Sequence, residues 1–265
     1  MAIVALHSAA TGLSAMSTGI DVIAHNIANT NTVGFKALRS NFEDLLYQQK
    51  EQPGVENANG DQRPAGLFVG LGTRISNTQL DLALGSAMED AKDFSMMIDG
   101  EGFFQVNLGD QNGYTRAGNF FKNSEGDLVL GTTSGPRLEP SVQIPDNVTG
   151  IIIQGDGTIL GIPEGGIEHE EIGAITLATF TNPTGLKPHG GNVFIETTAS
   201  GPPIEGQPQE GAFGAIRHKF LESSNVDPVT ELVNLIKTQR NFEFNSQSIQ
   251  AADEALQVIA NLRSF

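Results

Sequence analysis

The sequence predicts an α+β protein in which long N- and C-terminal helices form a coiled-coil-like inner domain around a mainly antiparallel β middle domain. Three observations carry this. Apolar residues recur at helical spacing at both ends of the chain, the middle has no helical periodicity, and its short apolar runs are bounded by Gly, Pro, Asn and Asp.

At the N-terminal end, Leu6, Ala9, Leu13, Met16, Ile20, Ile23 and Ile27 alternate spacings of three and four, the seam of a coiled-coil helix. At ~1.5 Å per residue the helix would be about 40 Å long. Ala10, Ser14, Ala15 and Ser17 lie among the seam residues, and their small side chains let a neighbouring backbone come close. Gly12 and Gly19 each cost such a helix roughly 1 kcal/mol relative to alanine. An isolated helix of this composition is marginal in water, so its order is expected to come from the other end of the chain and from neighbouring subunits.

The C-terminal helix is expected to start at Asp227-Pro228, an N-cap residue followed by a proline at the first helical position, where the missing N–H costs nothing. Leu235, Phe242, Ile249 and Leu256 recur every seventh residue, flanked by Leu232, Ala252 and Ile259, while Gln239 and Ser246 weaken the intervening line. Read as two ordinary amphipathic helices of one globular core, the ends need no partner. Their placement at opposite ends of a non-helical middle favours a polymerisation seam instead, made of Leu6, Leu13, Met16, Ile20, Ile23, Ile27, Leu232, Leu235, Phe242, Ile249, Leu256 and Ile259.

Between the ends, Thr32-Val33-Gly34-Phe35 breaks the first helix, and Asn41 to Tyr47 suggests a short helical turn. Gln48 to Gly72 is rich in Gly, Pro and Asn, the composition of an extended loop or hairpin, and it is long for a mere connection. From about residue 94 the best strand candidates are 103–106, 127–130, 151–153, 158–160, 175–180 and 193–196. The expected division is 1–35 with 223–265 as the helical polymerisation domain, 36–93 as a transitional segment with an extended arm at about 48–72, and 94–222 as the β-domain.

With 265 residues the chain can bury a sizeable core. Fifteen Lys and Arg against 31 Asp and Glu give a formal charge of −16, which repels phosphate backbones and argues against nucleic acid as a partner. Cysteine is absent, which removes disulfides, thiolate catalysis and cysteine zinc sites. Residues 1–20 carry no Asp, Glu, Lys or Arg, yet Ser8, Thr11, Ser14, Ser17 and Thr18 interrupt the apolar run, and the basic start of a secretory signal is missing. The expectation is a cytoplasmic protein, or one exported without a cleaved signal.

Candidate chemistry is thin. Gly66 to Gly72 and Gly100-Glu101-Gly102 have a dinucleotide-loop flavour, but neither lies between a strand and a helix with the required third glycine, and no Gly-Lys-Ser/Thr follows. Glu168-His169-Glu170-Glu171 could offer metal ligands, but adjacent residues point in different directions, so it reads as a solvated acidic turn. His7, His25, His189 and His218 lie in unlike contexts and no Gly-x-Ser-x-Gly elbow accompanies them. No catalytic, cofactor-binding or metal residue is assigned, and no cofactor is called for.

The run Asp21-Val22-Ile23-Ala24-His25-Asn26-Ile27-Ala28-Asn29-Thr30-Asn31-Thr32-Val33-Gly34-Phe35-Lys36 resembles the N-terminal signature of flagellar rod and hook proteins. Leu221 to Asp227, Glu231 to Ile236 and Gln239 to Phe242 resemble the C-terminal signature of that family, and Gly100 to Val106 with Tyr114 to Phe120 are similar to its β-domain motif. The resemblance covers essentially the whole chain and marks Asn26, Asn29, Gly34, Phe35, Gly102, Phe103 and Phe104 as motif residues. Asn29 and Gly34 suit an abrupt helix exit, Phe35 could anchor it, and the tandem Phe103-Phe104 puts one ring on each face of a strand.

Phe42 to Gln48 with Gln52-Pro53-Gly54 and Gly66 to Gly70 is similar to the segment that marks the distal-rod branch, whereas His25-Asn26-Ile27 and Asn261-Leu262-Arg263 are similar to hook subunits. The resemblance implies a non-enzymatic structural subunit, exported without a cleaved signal by the flagellar type III apparatus. It would polymerise helically with copies of itself into a stiff hollow drive shaft across the periplasm. Implied partners are proximal rod proteins, hook or hook-junction subunits and the surrounding bushing-ring proteins. The alternatives are a hook or proximal-rod subunit or, from another class, a secreted β-domain enzyme or carbohydrate-binding protein, which would be a compact active monomer.

Overall fold

A computed structural model describes residues 2–54, 64–163 and 169–262. The chain forms two compact units. One comprises residues 1–27, 38–79 and 228–265, the other 28–37 and 80–227.

The first unit holds the two helices, α1 (Ala2–Ala28) and α2 (Pro228–Leu262). Proline stands at the first position of α2, where the helix has no use for its N–H. Strand Leu38–Asp44 pairs with Thr73–Leu80, and Tyr47–Glu51 pairs antiparallel with Leu67–Gly70. The segment read as a helical turn at Asn41 to Tyr47 is therefore extended. Its polar side chains find partners across the sheet, Asn41 Nδ2 donating to Asn77 Oδ1 at 2.8 Å and Glu43 pairing with Arg74, and those contacts override the local propensity. The Gly- and Pro-rich stretch that follows is a hairpin whose residues 55–63 lie outside the described residues.

The most buried line of α1 is Ala9, Gly12, Ala15, Gly19 and Asn26, while Leu6, Leu13, Met16, Ile20, Ile23 and Ile27 are half-buried beside it. The neighbours explain this. Ser8 Oγ donates to Gly70 O and Thr73 N donates to Thr11 Oγ1, so a strand backbone runs against the helix where side chains are small. Gly12 faces Asn245, where a methyl group would stand 2.9 Å from Nδ2, and Gly19 faces Thr238 and Phe42. The glycines that weaken α1 as an isolated helix are the places where α2 comes near, and the two contacts run in opposite senses along the helices. Asn26 grips the strand that follows, its Nδ2 donating to Leu38 O at 2.8 Å and its Oδ1 accepting from Leu38 N at 2.9 Å.

The second unit is built on a nine-stranded sheet, most of it in the order Lys187–Gly190, Val193–Ile195, Asn112–Thr115, Phe103–Asn107, Arg137–Glu139, Leu128–Leu130, Phe120–Lys122. Leu177–Thr179 joins Phe103–Asn107 and carries Ile204–Gly206, and the described pairings of this sheet are antiparallel. A three-stranded sheet, Val148–Ile153, Thr158–Pro163 and Glu170–Ala174, lies in the same unit. Each strand candidate read from the sequence overlaps a strand, though 175–180 shortens to Leu177–Thr179, 127–130 to Leu128–Leu130 and 193–196 to Val193–Ile195. Gly66 to Gly72 lies on the hairpin, and His169, Glu170 and Glu171 are exposed at the start of a strand, Glu168 being outside the described residues.

Phe103–Asn107 is buried on both faces at its N-terminal end. The Phe104 ring meets Phe120 edge-on at 5.4 Å in the main core, while Phe103 meets Phe180 and Phe194 at 6.1 and 6.3 Å. Tyr114 completes the second cluster, 4.7 Å from Phe180. Its hydroxyl is held up to about 12 by burial first, then by Glu196 and Glu205. An unfolded tyrosine ionises near 10, so between there and about 12 the folded chain keeps a proton the unfolded chain has released, and stability falls as pH rises. Urea midpoints should therefore drop through this window in the native chain, and the drop should shrink in Tyr114→Phe.

Candidate functional site

The N-terminal motif, the C-terminal motif and the β-domain motif meet at one buried charge cluster inside the second unit. Lys36, just past the helix exit, Glu222, at the end of strand Phe220–Glu222, and Arg116, just after strand Asn112–Thr115, are respectively 1%, 0% and 5% exposed. Lys36 Nζ donates to Glu222 Oε1 at 2.6 Å and to Ala83 O at 2.7 Å. The same carboxylate oxygen accepts from Gly85 N at 2.9 Å. Arg116 Nε lies 3.6 Å from Glu222 Oε2, and its Nη2 donates to Gly100 O at 2.7 Å.

Burial pushes Lys36 below its ordinary range while the Glu222 carboxylate pulls it back up, and burial likewise lowers Arg116 against the pull of Glu222 and Glu101. Lone charges at these positions would be costly, so the cluster holds only as a set. Among the described residues no group of three His, Cys, Asp or Glu could hold a metal ion. The arrangement sets one carboxylate between two cations and ties three segments of the chain together as a clamp.

What it clamps is the backbone on either side of the helices. Gly34 N donates to Glu222 O at 2.7 Å, Ala37 N donates to Asn225 Oδ1 at 2.8 Å, and Asn225 Nδ2 donates to Asp81 O at 2.8 Å. Asn192 Nδ2 donates to Val33 O at 2.6 Å. The segment leaving α1 and the segment leading into α2 thus lie side by side. Asn29 caps the turn between them and α1, accepting from Thr32 N and Thr32 Oγ1, and Phe35 is half-buried beyond it.

Gly34 sits at φ +67°, and a Cβ there would stand 2.6 Å from Ala117 N. Gly34→Ala should therefore cost about 1–3 kcal/mol from backbone strain alone, and more from the clash. Chemical denaturation followed by circular dichroism measures it; a loss under about 0.5 kcal/mol would show that the turn tolerates a side chain. Gly102, at φ +132°, leads into Phe103 and Phe104.

The predicted seam residues divide by exposure. On α2, Leu235, Ile249 and Leu256 are half-buried, Leu232 and Phe242 are exposed, and the side chain of Ile259 lies outside the described residues. Sequence reasoning missed the neighbours that extend Leu232 into a stripe: Val229 (69% exposed), Val233 and Ile236 (58%) line two successive turns with it, and Phe244 is exposed further along. Their spacing of three and four is present in the sequence, but the stronger seven-residue repeat through Leu235, Phe242, Ile249 and Leu256 runs along a different side of the helix. Sequence reasoning also missed the charge cluster, whose members stand within the motifs but are brought together only by the fold.

Three family models match the chain: "Flagella basal body rod protein" over residues 6–36, "Flagellar hook protein FlgE/F/G D1 domain" over 97–161 and "Flagellar basal body rod FlgEFG protein C-terminal" over 217–262. Each contains one corner of the charge cluster. Among similar proteins, the flagellar basal-body rod protein FlgG of Agrobacterium fabrum is 40% identical over 97% of this chain and 98% of its own length. FlgG of Caulobacter vibrioides is 38% identical over 98% and 99%, and FlgG of Borreliella burgdorferi 37% identical over 98% of each. With matches at this identity running nearly end to end, the chain belongs to the flagellar basal-body rod protein family, alongside the members named FlgG.

Proposed function

We propose that this protein, a structural subunit of the flagellar basal-body rod, works by helical self-assembly through α1 and α2 into a stiff hollow shaft that carries torque from motor to hook. The observation that carries the assembly reading is the exposed stripe Val229, Leu232, Val233 and Ile236 on a chain whose charged side chains are mostly carboxylates. Apolar side chains in that pattern favour a covering helix, and each one buried stabilises the contact by roughly 1.5–3 kcal/mol. The opposed contacts of Gly12 with Asn245 and Gly19 with Thr238, seven residues apart on each helix, support a coiled-coil-like inner domain.

The finer assignments belong to the same reading. Residues 1–35 and 223–265 serve polymerisation, 94–222 form the β-domain, and the shaft crosses the periplasm between proximal rod proteins and hook or hook-junction subunits, inside the bushing rings. Export proceeds through the type III apparatus without a cleaved signal. The charge cluster fixes the helix exits within each subunit, and neither it nor any other site in this reading supports catalysis.

The hairpin Tyr47–Glu51 with Leu67–Gly70 bears on stiffness. Leu46, Tyr47, Leu67 and Phe68 are exposed on it, which suits an arm that seats on adjacent subunits and opposes the sliding that bending requires. Deleting residues 50–70 should give a polymer that still assembles but curves or flexes under electron microscopy. Straight rods of unchanged stiffness would remove the arm from the account and reopen the hook alternative, while failure of the intact chain to polymerise would remove the self-assembly reading itself.

A further inference from the structure

The hairpin of the first unit is made of two ladders in series, Leu38–Asp44 with Thr73–Leu80 nearer its base and Tyr47–Glu51 with Leu67–Gly70 further out. The ladders stop short of each other and leave Leu45 and Leu46 opposite Leu71 and Gly72 at a joint. Two backbone bonds cross it, Leu45 N to Gly72 O at 2.9 Å and Leu71 N to Leu46 O at 3.2 Å. Gly72 stands at φ +113°, where a side chain would be strained, and a Cβ there would overlap Thr11 Oγ1 and lie 3.1 Å from Ser8 Cα. The joint therefore rests directly on α1.

Thr11 holds it there. Its hydroxyl gives its proton to Ser8 O at 2.9 Å, back along its own helix, which leaves its lone pairs facing outward, and Thr73 N donates to them at 3.4 Å. Ser8 Oγ donates to Gly70 O at 3.4 Å, so α1 grips the strand on both sides of Gly72. A cavity of about 350 Å³, lined in part by Thr11, Ala15, Leu45 and Thr73, opens beside the joint. A joint released from the helix would have room to swing. On the solvent side, Tyr47 Oη donates to Asp44 Oδ2 at 2.8 Å across the joint, but both groups are exposed, and water competes for such a bond.

We infer that Thr11, with Ser8 and Gly72, is the lock that fixes the direction of the outer half of the hairpin relative to α1. Thr11 is thus a positioning residue. The lock itself stands on contacts within the first unit, and its consequence rests on the self-assembly reading. If the outer half seats on adjacent subunits, a locked joint makes each arm a rigid extension of its own α1, whereas a free joint would let the arm yield as the shaft bends.

Because the chain has no cysteine, spin labels at Ser17→Cys in α1 and Gln49→Cys on the outer half, both exposed positions, report a single distance. The measurement uses polymer in which labelled chain is diluted into excess unlabelled chain. The parent and Thr11→Ser, which keeps the hydroxyl, should give one narrow distance. Thr11→Val, of nearly the same shape without the hydroxyl, should broaden or split it, and should speed exchange of the Thr73 amide in the soluble chain by about two- to tenfold. Gly72→Ala should shift the distance, because the added methyl group lifts the joint from the helix. An unchanged distribution in Thr11→Val, or one broadened equally in Thr11→Ser, would overturn the lock.

Under electron microscopy the Thr11→Val polymer should curve or flex as the polymer lacking residues 50–70 is expected to do. A straight Thr11→Val polymer with a broadened distance would overturn the part of the lock in stiffness. If the deletion itself left the shaft straight, the stiffening role of the arm would fail while the distances still decided the lock. If the intact chain did not polymerise, the self-assembly reading would fail, and the same distances in the soluble chain would decide the lock.

Discussion

Replacing Glu222 with alanine should lower the stability of the β-bearing unit by about 3–5 kcal/mol, a large part of the 5–15 kcal/mol that holds a typical domain together. The side chain is fully buried, and its removal strands Lys36 Nζ with one remaining acceptor, leaves Gly85 N without its carboxylate and leaves the buried Arg116 with only the exposed Glu101 as a nearby carboxylate. The penalty comes from the charges left behind and not from the ion pair as such. A variant carrying Lys36→Met, Arg116→Met and Glu222→Leu together should recover much of the loss, because no charge is then left buried without a partner. Urea titrations of the three single variants and the triple variant decide it. If Glu222→Ala unfolded within about 0.5 kcal/mol of the parent, the cluster would be peripheral to stability and its role as a clamp would be lost.

How far the sequence foretells this architecture depends on the range of the interactions involved. The start of α2 was legible because Asp227-Pro228 is a local signal, and the tandem phenylalanines were legible because strand alternation alone sends Phe103 and Phe104 to opposite faces. Extended structure at Leu38–Asp44 was not, because Phe42, Leu45 and Leu46 are spaced as on a helix, and the partners that overrule them, Arg74 and Asn77, lie more than thirty residues away. The line of α1 buried within the subunit lies about one position from the seam read in the sequence, for a different reason. Hydrophobic periodicity weights large side chains, but strand backbone meets Ser8 and Thr11 and the other helix meets Gly12 and Gly19, approaches for which small residues are the better match. Lys36 and Glu222, 186 residues apart, each looked like one charged residue at the end of a motif. Only the fold, by placing both beside Arg116 and out of water, gives them a common purpose.

The largest effect on assembly is expected from Ile236→Asp. Ile236 is 58% exposed and flanked by Val229, Leu232 and Val233, so the substitution touches no buried contact in the subunit and should leave its own stability within about 0.5 kcal/mol. In a polymer the same position is repeated in every subunit. Losing the burial of one isoleucine removes roughly 1.5–3 kcal/mol per added subunit, and placing a carboxylate in the contact adds its desolvation cost. At 1.4 kcal/mol per decade, the critical concentration for growth should rise about a hundredfold or more. Sedimentation of the polymer against total concentration measures this, with thermal unfolding of the soluble chain as the control for folding. Ile20→Asp and Leu256→Asp give the contrast. Both side chains are half-buried within the subunit, so these variants should lose subunit stability and polymerisation together. Polymerisation of Ile236→Asp at an unchanged critical concentration would take this face of α2 out of the interface. If Ile20→Asp and Leu256→Asp then still blocked growth, the interface would move to the seam of Leu6, Leu13, Leu235 and Ile249 on the other side of the helices.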